Sequence, residues 1–369
     1  MATATVLAPN EMQAGEIKTP APESKKVHHG SIRVRRAVSL TIVYLILIVM
    51  SVVWLAPIVW IVLQSFTGQD LQSVSFLYPH IWDFQVKNGD PVIMNGQATG
   101  DTYKYTLGWF GNYVFLFKNL HYANGIVETS SYNFFGYSDA SGFHMGGFLN
   151  TLVISILVAI ISTLFVLATS FAFSRLRFKG RTFMMKTIMV LGMFPGFLGL
   201  IILYNMFRLM ASNYGMTLFY KSIWALVLIY SGGAGMGYYI SKGFFDTISK
   251  QIDEAAMIDG ATRFQIFYKI TLPLSKPIVV YTILTSFMGP WAEYITASYI
   301  LGGQSGARDN WTVPLILYHM MLDGQPTNTI GYWGQFCAGA VIIAIPTSLL
   351  FIFLQKNYVS GVTGGAVKG

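Results

Sequence analysis

Asp253-Glu254-Ala255-Ala256-Met257-Ile258-Asp259-Gly260, continuing from Ala261 to Pro273, is the long polar interruption in the otherwise apolar second half of the chain. Apolar sequence ends just before it, near Ile240, and resumes just after it, near Ile278. A segment placed like that reads as a surface loop between two membrane spans. Its local chemistry predicts two short helices. Ile248 to Asp259 is rich in helix formers, and Ile248, Ile252, Ala255 and Ile258 form a helical stripe. Gly260 fits the position past a helix end, where a left-handed backbone is often required. Thr262 and Gln265 have capping-box spacing for a second helix, with Phe264, Phe267 and Ile270 expected on its inner side. Leu272-Pro273 and Lys276-Pro277 stop that helix before the next span.

The rest of the composition fits this frame. Of 369 residues 53% are hydrophobic and 11% charged, and the mean hydropathy is +0.52. Soluble domains are about 25% charged. The deficit, with repeated apolar runs of about 20 residues, predicts an all-α polytopic membrane protein. Six transmembrane helices are expected, roughly 38–64, 149–173, 183–208, 222–241, 278–300 and 334–354. With the N-terminus inside, eighteen of the 24 Lys and Arg residues fall on the cytoplasmic side, clustered at span ends. The positive-inside rule therefore gives an N-in/C-in topology with the Glu254 loop cytoplasmic. That clustering also assigns the formal charge of +8 to a membrane rather than to nucleic acid. Cys337, the single cysteine, excludes an internal disulfide and reads as packing. The six histidines include no metal-ligand spacing, and His28-His29 lies in a polar tail. The first thirty residues are too polar for a signal peptide and read as disordered.

These features divide the chain into a cytoplasmic tail (1–36), a first transmembrane helix (37–66), an extracytoplasmic insertion (67–147), a five-helix core (148–355) with its cytoplasmic loop at 242–277, and a cytoplasmic tail (356–369). The insertion is rich in Gly, Asn and aromatics. It has alternating pieces at Thr102–Leu107 and Tyr113–Phe117 and turn signals at Asn88-Gly89, Asn95-Gly96 and Asn124-Gly125. It reads as a small β-rich cap between helices 1 and 2. Either it decorates the first hairpin, or it is a docking surface for an extracytoplasmic protein.

Gly192, Pro195, Gly196 and Gly199 in the third span, and Gly232, Gly233, Gly235 and Gly237 in the fourth, predict tight packing or bending, the fourth-span cluster alternatively lining the pathway directly. No Lys-Ser/Thr follows the second cluster, so it is not a nucleotide loop. Glu293 in the fifth span needs a partner or water, because a carboxylate there is costly. Arg208 is the candidate partner. Glu293 is either half of a structural pair or, with Trp291 and Tyr294, part of a solute path, for which Asn205 and Tyr230 are weaker candidates. Rings and amides suit sugars, but no sugar-specific code is present.

Glu254-Ala255-Ala256, three residues, Gly260, nine residues, Ile270, one residue, Leu272-Pro273 matches at every position the EAA loop of permease subunits of bacterial ABC importers. Gly196–Tyr204, Trp291–Tyr294 and the tail Gly361–Gly369 resemble the maltose-type carbohydrate permeases within that family. The resemblance covers roughly residues 37–66 and 148–369. Ser249 departs from it, standing where the family usually has proline, and residues 65–147 have no family template. The resemblance implies a bacterial inner-membrane permease whose loop docks on a separate ATPase, with Glu254 meeting basic groups there and Asp259, Gly260, Ile270, Leu272 and Pro273 shaping the lever. It implies two ATPase copies, a second permease and an extracytoplasmic solute-binding protein as partners, besides membrane lipid. ATP and Mg would sit on the ATPase, with no cofactor on this chain and no catalytic site. An oligosaccharide is the implied substrate, malto-oligosaccharide the first expectation. The tail, Lys368 included, would reach the ATPase. The rival is an ion-coupled secondary transporter acting alone, which calls for several buried acids where only Glu293 clearly qualifies. A membrane-embedded glycosyltransferase would need a carboxylate pair at a membrane face, and the nearest set, Asp253, Glu254 and Asp259, already belongs to the loop pattern.

Overall fold

The computed structural model describes residues 29–66, 82–87, 90–91, 102–105, 110–123, 126–130, 132–140, 142–193, 196–232, 235–302, 308–323 and 331–366. Outside them lie residues 1–28, the three Asn-Gly pairs, Pro195, Gly233 and Lys368. The chain divides into two compact units, 1–57 and 58–369.

Helix α1 (His29–Gln64) begins inside the segment whose composition predicts a tail. From Ala37 it is apolar on every face, with Leu45, Ile48 and Trp54 all exposed. A helix apolar all round requires apolar surroundings. Within the second unit, the end of α1 is fixed by polar bonds. The Ser65 hydroxyl meets the Tyr113 hydroxyl at 2.8 Å, and the Asn112 amide donates to the Ser65 carbonyl at 2.9 Å.

Strands β1 (Trp82–Lys87), β2 (Asp90–Pro91), β3 (Thr102–Tyr105), β4 (Leu120–Ala123) and β5 (Ile126–Thr129) form one sheet. β1 pairs antiparallel with β2 and β3 and parallel with β5, and β4 pairs antiparallel with β5, Ala123 opposite Ile126. β6 (Gly136–Asp139) and β7 (Gly142–Met145) make a separate hairpin. The alternating piece Tyr113–Phe117 is not a strand. It lies in helix α2 (Gly111–Lys118), ended by Asn119 in the left-handed region. Asn112, Phe115 and Leu116 are buried at helical spacing, and a Cβ at Gly334 would sit 2.5 Å from the Asn112 amide. Close packing at this one face overrides the β pattern.

Helix α3 (Gly147–Arg175) is central. Its buried face carries Gly147, Thr151, Ser155, Ser162, Ser170 and Ser174, nearly all at four-residue multiples. Between apolar helices association rests on close packing and interhelical hydrogen bonds, which small residues permit. α3 makes such bonds at Ser162 (with Ser286), Ser170 (with the Tyr238 carbonyl) and Thr151 (with the Val313 amide), among others.

α4 (Arg181–Gly192) and α5 (Gly196–Tyr214) meet at a 94° bend, so the predicted third span is broken at its glycines. α6 (Ile223–Gly232) and α7 (Gly235–Asp246) follow, then α8 (Lys250–Ile258), α9 (Arg263–Gln265) and α10 (Leu272–Leu274), joined by a π-helical turn at 266–271. α11 (Lys276–Ala292) and α12 (Ile295–Leu301) replace the continuous fifth span, with Pro290 inside α11 and the break at Glu293. α13 (Val313–Asp323) went unread in the sequence. It is too short to cross a bilayer, and it buries Leu315, Ile316, Leu317 and Met320. α14 (Gly331–Ala366) carries the backbone helically through most of the glycine-rich tail. Among the described residues four helices are long and apolar enough to span a membrane, or six if each bent pair is one span.

Candidate functional site

The polar stretch builds a rigid elbow. Ser249 N-caps α8, its hydroxyl accepting from the Gln251 amide at 3.3 Å. The residue that departs from the family's proline thus supplies a cap of its own. α8 ends in a Schellman arrangement. The Ala261 amide donates to the Ala256 carbonyl at 2.9 Å, the Gly260 amide to that of Met257 at 3.1 Å, and Gly260 has φ +84°. Thr262 and Gln265 then close a reciprocal capping box. The second helical piece, Arg263–Leu274, turns 85° into α11 between Pro273 and Pro277.

The faces of the elbow differ from the stripe read in the sequence. Asp253 and Ala256 turn inward, whereas Ile252, Ala255 and Ile258 turn out, Ile258 being 87% exposed. Glu254 and Asp259 are exposed beside them. Phe267 and Ile270 pack inward as expected, in a cluster with Leu167, Phe171, Phe245, Ala256 and Ile266. Phe264 does not. It is 71% exposed and lies 5.3 Å from the Tyr268 ring. The capping box starts the helix at Arg263, so the inward positions become 266, 267, 270 and 271, and 264 and 268 point away. Leu272 is half-buried in the same cluster and Pro273 is exposed.

Asp253 is not a solvated acid. Its Oδ2 lies 3.2 Å from Nε of Arg175, and both side chains are buried. The Arg175 Nη2 also donates to the Phe245 and Ile248 carbonyls at 2.8 and 2.9 Å. In the sequence Arg175 counted only as one charge of a basic cluster. Nothing there pairs two residues so far apart, although Asp253 does share the helix face of Ala256.

A cavity of about 1000 Å³ lies between α3, α5, α6, α7 and α11. Glu293 and Tyr230 stand on its wall with Ser162, Thr282, Thr285 and Ser286. Glu293 occupies the break between α11 and α12. Its Oε2 accepts from the Thr296 amide at 2.9 Å, capping α12, and from the Tyr230 hydroxyl at 3.2 Å. Arg208, the partner expected from the sequence, is exposed and is not among the groups bonded to it. Trp291 faces elsewhere, buried against Phe148 and Phe287 at centroid distances of 5.5 and 6.1 Å. Tyr294 stacks on Tyr318 at 3.8 Å and borders a second hollow of about 460 Å³ with Tyr204 and Tyr299. The Asn205 amide donates to the Ile201 carbonyl of its own helix at 2.9 Å. The structure thus brings Glu293 and Tyr230 together and leaves Trp291, Tyr294 and Asn205 off that wall.

Gly196, Gly199 and Gly232 line the cavity, and a Cβ at any of them would meet nothing within 4 Å. Their lack of side chains leaves room rather than permitting a close approach within this chain. The described residues contain no cluster of three or more metal-ligating side chains.

The sequence pattern described as "Binding-protein-dependent transport system inner membrane component" matches residues 155–364. The galactooligosaccharides transport system permease protein GanQ of Bacillus subtilis (strain 168) is 33% identical over 92% of this chain and 99% of its own length. The maltodextrin transport system permease protein MalD of Streptococcus pneumoniae (strain ATCC BAA-255 / R6) is 35% identical over 60% of this chain and 74% of its own. A solved bacterial ABC transporter involved in the import of the acidic polysaccharide alginate shares the fold. Its TM-score is 0.59 at 17% identity, over 87% of this chain and 96% of that one.

Proposed function

The chain belongs to the family of inner-membrane components of binding-protein-dependent transport systems, and from that premise we propose that it is the carbohydrate permease subunit of an ABC importer that turns motion of a separate ATPase into alternating access. The observation that carries this reading is the elbow at 249–274. It matches the family's loop pattern, turns 85° from the helix it feeds, and holds an apolar face and Glu254 out to solvent. We read that face as the ATPase docking surface, with Glu254, Ala255 and Asp259 at the contact and Ala256, Gly260, Ile270, Leu272 and Pro273 setting its geometry.

In this reading the six spans are α1, α3, α4 with α5, α6 with α7, α11 with α12, and α14. Both termini and the elbow are cytoplasmic, and the segment 67–147 is extracytoplasmic. The partners are two ATPase copies, a second permease and an outer solute-binding protein, with ATP and Mg held by the ATPase. The solute path runs through the cavity at Glu293 and Tyr230. The substrate is an oligosaccharide. We place galactooligosaccharides ahead of maltodextrins, because the match to the galactooligosaccharide relative extends over 92% of the chain and so takes in most of the segment between α1 and α3. A secondary transporter acting alone has no support from the family.

The test is gentle detergent purification of the tagged chain from its native membranes. Recovery of a P-loop ATPase and a second permease is expected, with ATP-dependent uptake of galactotetraose exceeding that of maltotetraose in liposomes containing the recovered binding protein. Glu254→Lys should leave insertion intact and cut uptake at least about tenfold, since reversing a docking charge costs a few kcal/mol. Wild-type uptake in that variant removes Glu254 from the interface. A chain recovered alone, transporting on an ion gradient without ATP, refutes the whole reading.

A further inference from the structure

The elbow is joined by the chain itself to α7 on one side and α11 on the other. α3 is remote from it in sequence, yet α3 supplies Val158, Ser162 and Val166 to the cavity wall. Something must carry motion of the elbow into α3. At the last residue of α3, the Arg175 guanidinium is ion-paired with the Asp253 carboxylate of α8 at 3.2 Å and donates to the carbonyls of Phe245, in α7, and Ile248, in the link from α7 to α8. One residue earlier, the Ser174 hydroxyl donates to Asp246 of α7 at 2.6 Å, and Lys242 pairs with the same carboxylate. Farther up α3, Ser170 donates to the Tyr238 carbonyl of α7 and Ser162 meets Ser286 of α11. Against the second arm of the elbow itself the contact is apolar, Phe171 of α3 lying 4.9 Å from the Phe267 ring. Apolar contacts slide, whereas a buried guanidinium that donates to two carbonyls and is ion-paired with a carboxylate fixes direction and register.

We infer that the buried Arg175–Asp253 pair is the joint through which displacement of the elbow is delivered to α3, making both of them positioning residues for coupling. The inference rests on the permease reading above. Neither residue meets the docked partner. The pair locks α8, α7 and α3 into one body. An isolated buried ion pair is weak grounds for stability; its retention here follows from the need for a directional link.

The experiment uses the purified importer reconstituted in liposomes. Thr285, exposed on the cavity wall, is replaced by cysteine as a reporter; the native thiol, Cys337, is buried. Labelling by a membrane-impermeant maleimide is compared without nucleotide and after trapping with ATP and vanadate. With Asp253 in place the labelling rate should change about fivefold or more on trapping. With Asp253→Asn, of nearly the same shape, that change should vanish while ATP hydrolysis and its inhibition by vanadate persist. Arg175→Lys should do the same, because a single ammonium cannot occupy both the Nε position facing the carboxylate and the Nη2 position facing the two carbonyls. An Asp253→Asn complex with the full change overturns the inference. So does a complex formed in smaller amount but fully responsive, which is the mark of a folding role, and so does failure of both variants to assemble. A reporter that fails to respond to nucleotide with Asp253 in place brings down the permease reading itself, and the joint with it.

Discussion

Gly260 is where a single residue decides most. At φ +84° an L side chain costs about 1–2 kcal/mol, yet a Cβ there would meet nothing within 4 Å. The penalty therefore comes from the backbone and not from a clash. Gly260→Val should lower ATP-driven uptake by about 5- to 30-fold, the factor that strain imposes on the population of the elbow. Gly260→Asn, which tolerates the left-handed region, should retain most of it. Equal loss in both variants would indicate a contact at this position in the assembled transporter. Ser249 and Thr262 cap the two arms of the same elbow. The Thr262 cap was legible because capping chemistry is local, whereas Ser249 read only as a departure from proline. Asp253 was not legible, because its partner lies at the end of another helix.

At the scale of elements, the interrupted helix pair at Glu293 matters most. α11 and α12 are separated by Glu293, whose carboxylate caps α12 and accepts from Tyr230. Removing it leaves an uncapped helix and a phenol without this acceptor. Glu293→Ala should therefore destabilise the protein by about 1–3 kcal/mol, read as a lower midpoint in thermal unfolding in detergent. Glu293→Gln keeps an acceptor and should cost less than half as much. If Glu293→Gln unfolds like the wild type but imports far less, the carboxylate serves the solute path as well as the cap. The buried position of Trp291, beside the break but off the cavity, follows from the same geometry: the chain turns at residue 293, and the ring stays with α11.

At the scale of the whole molecule, the proposed sidedness rests on the basic clusters, and labelling tests it directly. Phe143 and Ile258 are both exposed, and each can be replaced singly by cysteine in a Cys337→Ser background. An impermeant maleimide should then reach the two positions from opposite faces of the membrane. The Phe143→Cys protein should react in right-side-out vesicles and the Ile258→Cys protein in inverted ones. The reverse pattern would invert the topology set by the basic residues.

The apolar runs, the basic clusters at their ends and the loop pattern were legible from order alone, because hydropathy, charge and capping act within a turn or two of the chain. They determined a polytopic helical protein and the elbow with its Gly260 turn. Tertiary structure decided what depends on neighbours. It turned Ile252, Ala255, Ile258 and Phe264 outward and Asp253 inward onto Arg175. It made Tyr113–Phe117 a helix against Gly334, and it gave Glu293 to Tyr230 and Thr296 instead of Arg208. A stripe at helical spacing says that one face differs from the other. Which face is covered depends on the angle at which the helix leaves its caps and on what other helices bring to meet it, and the local sequence encodes neither.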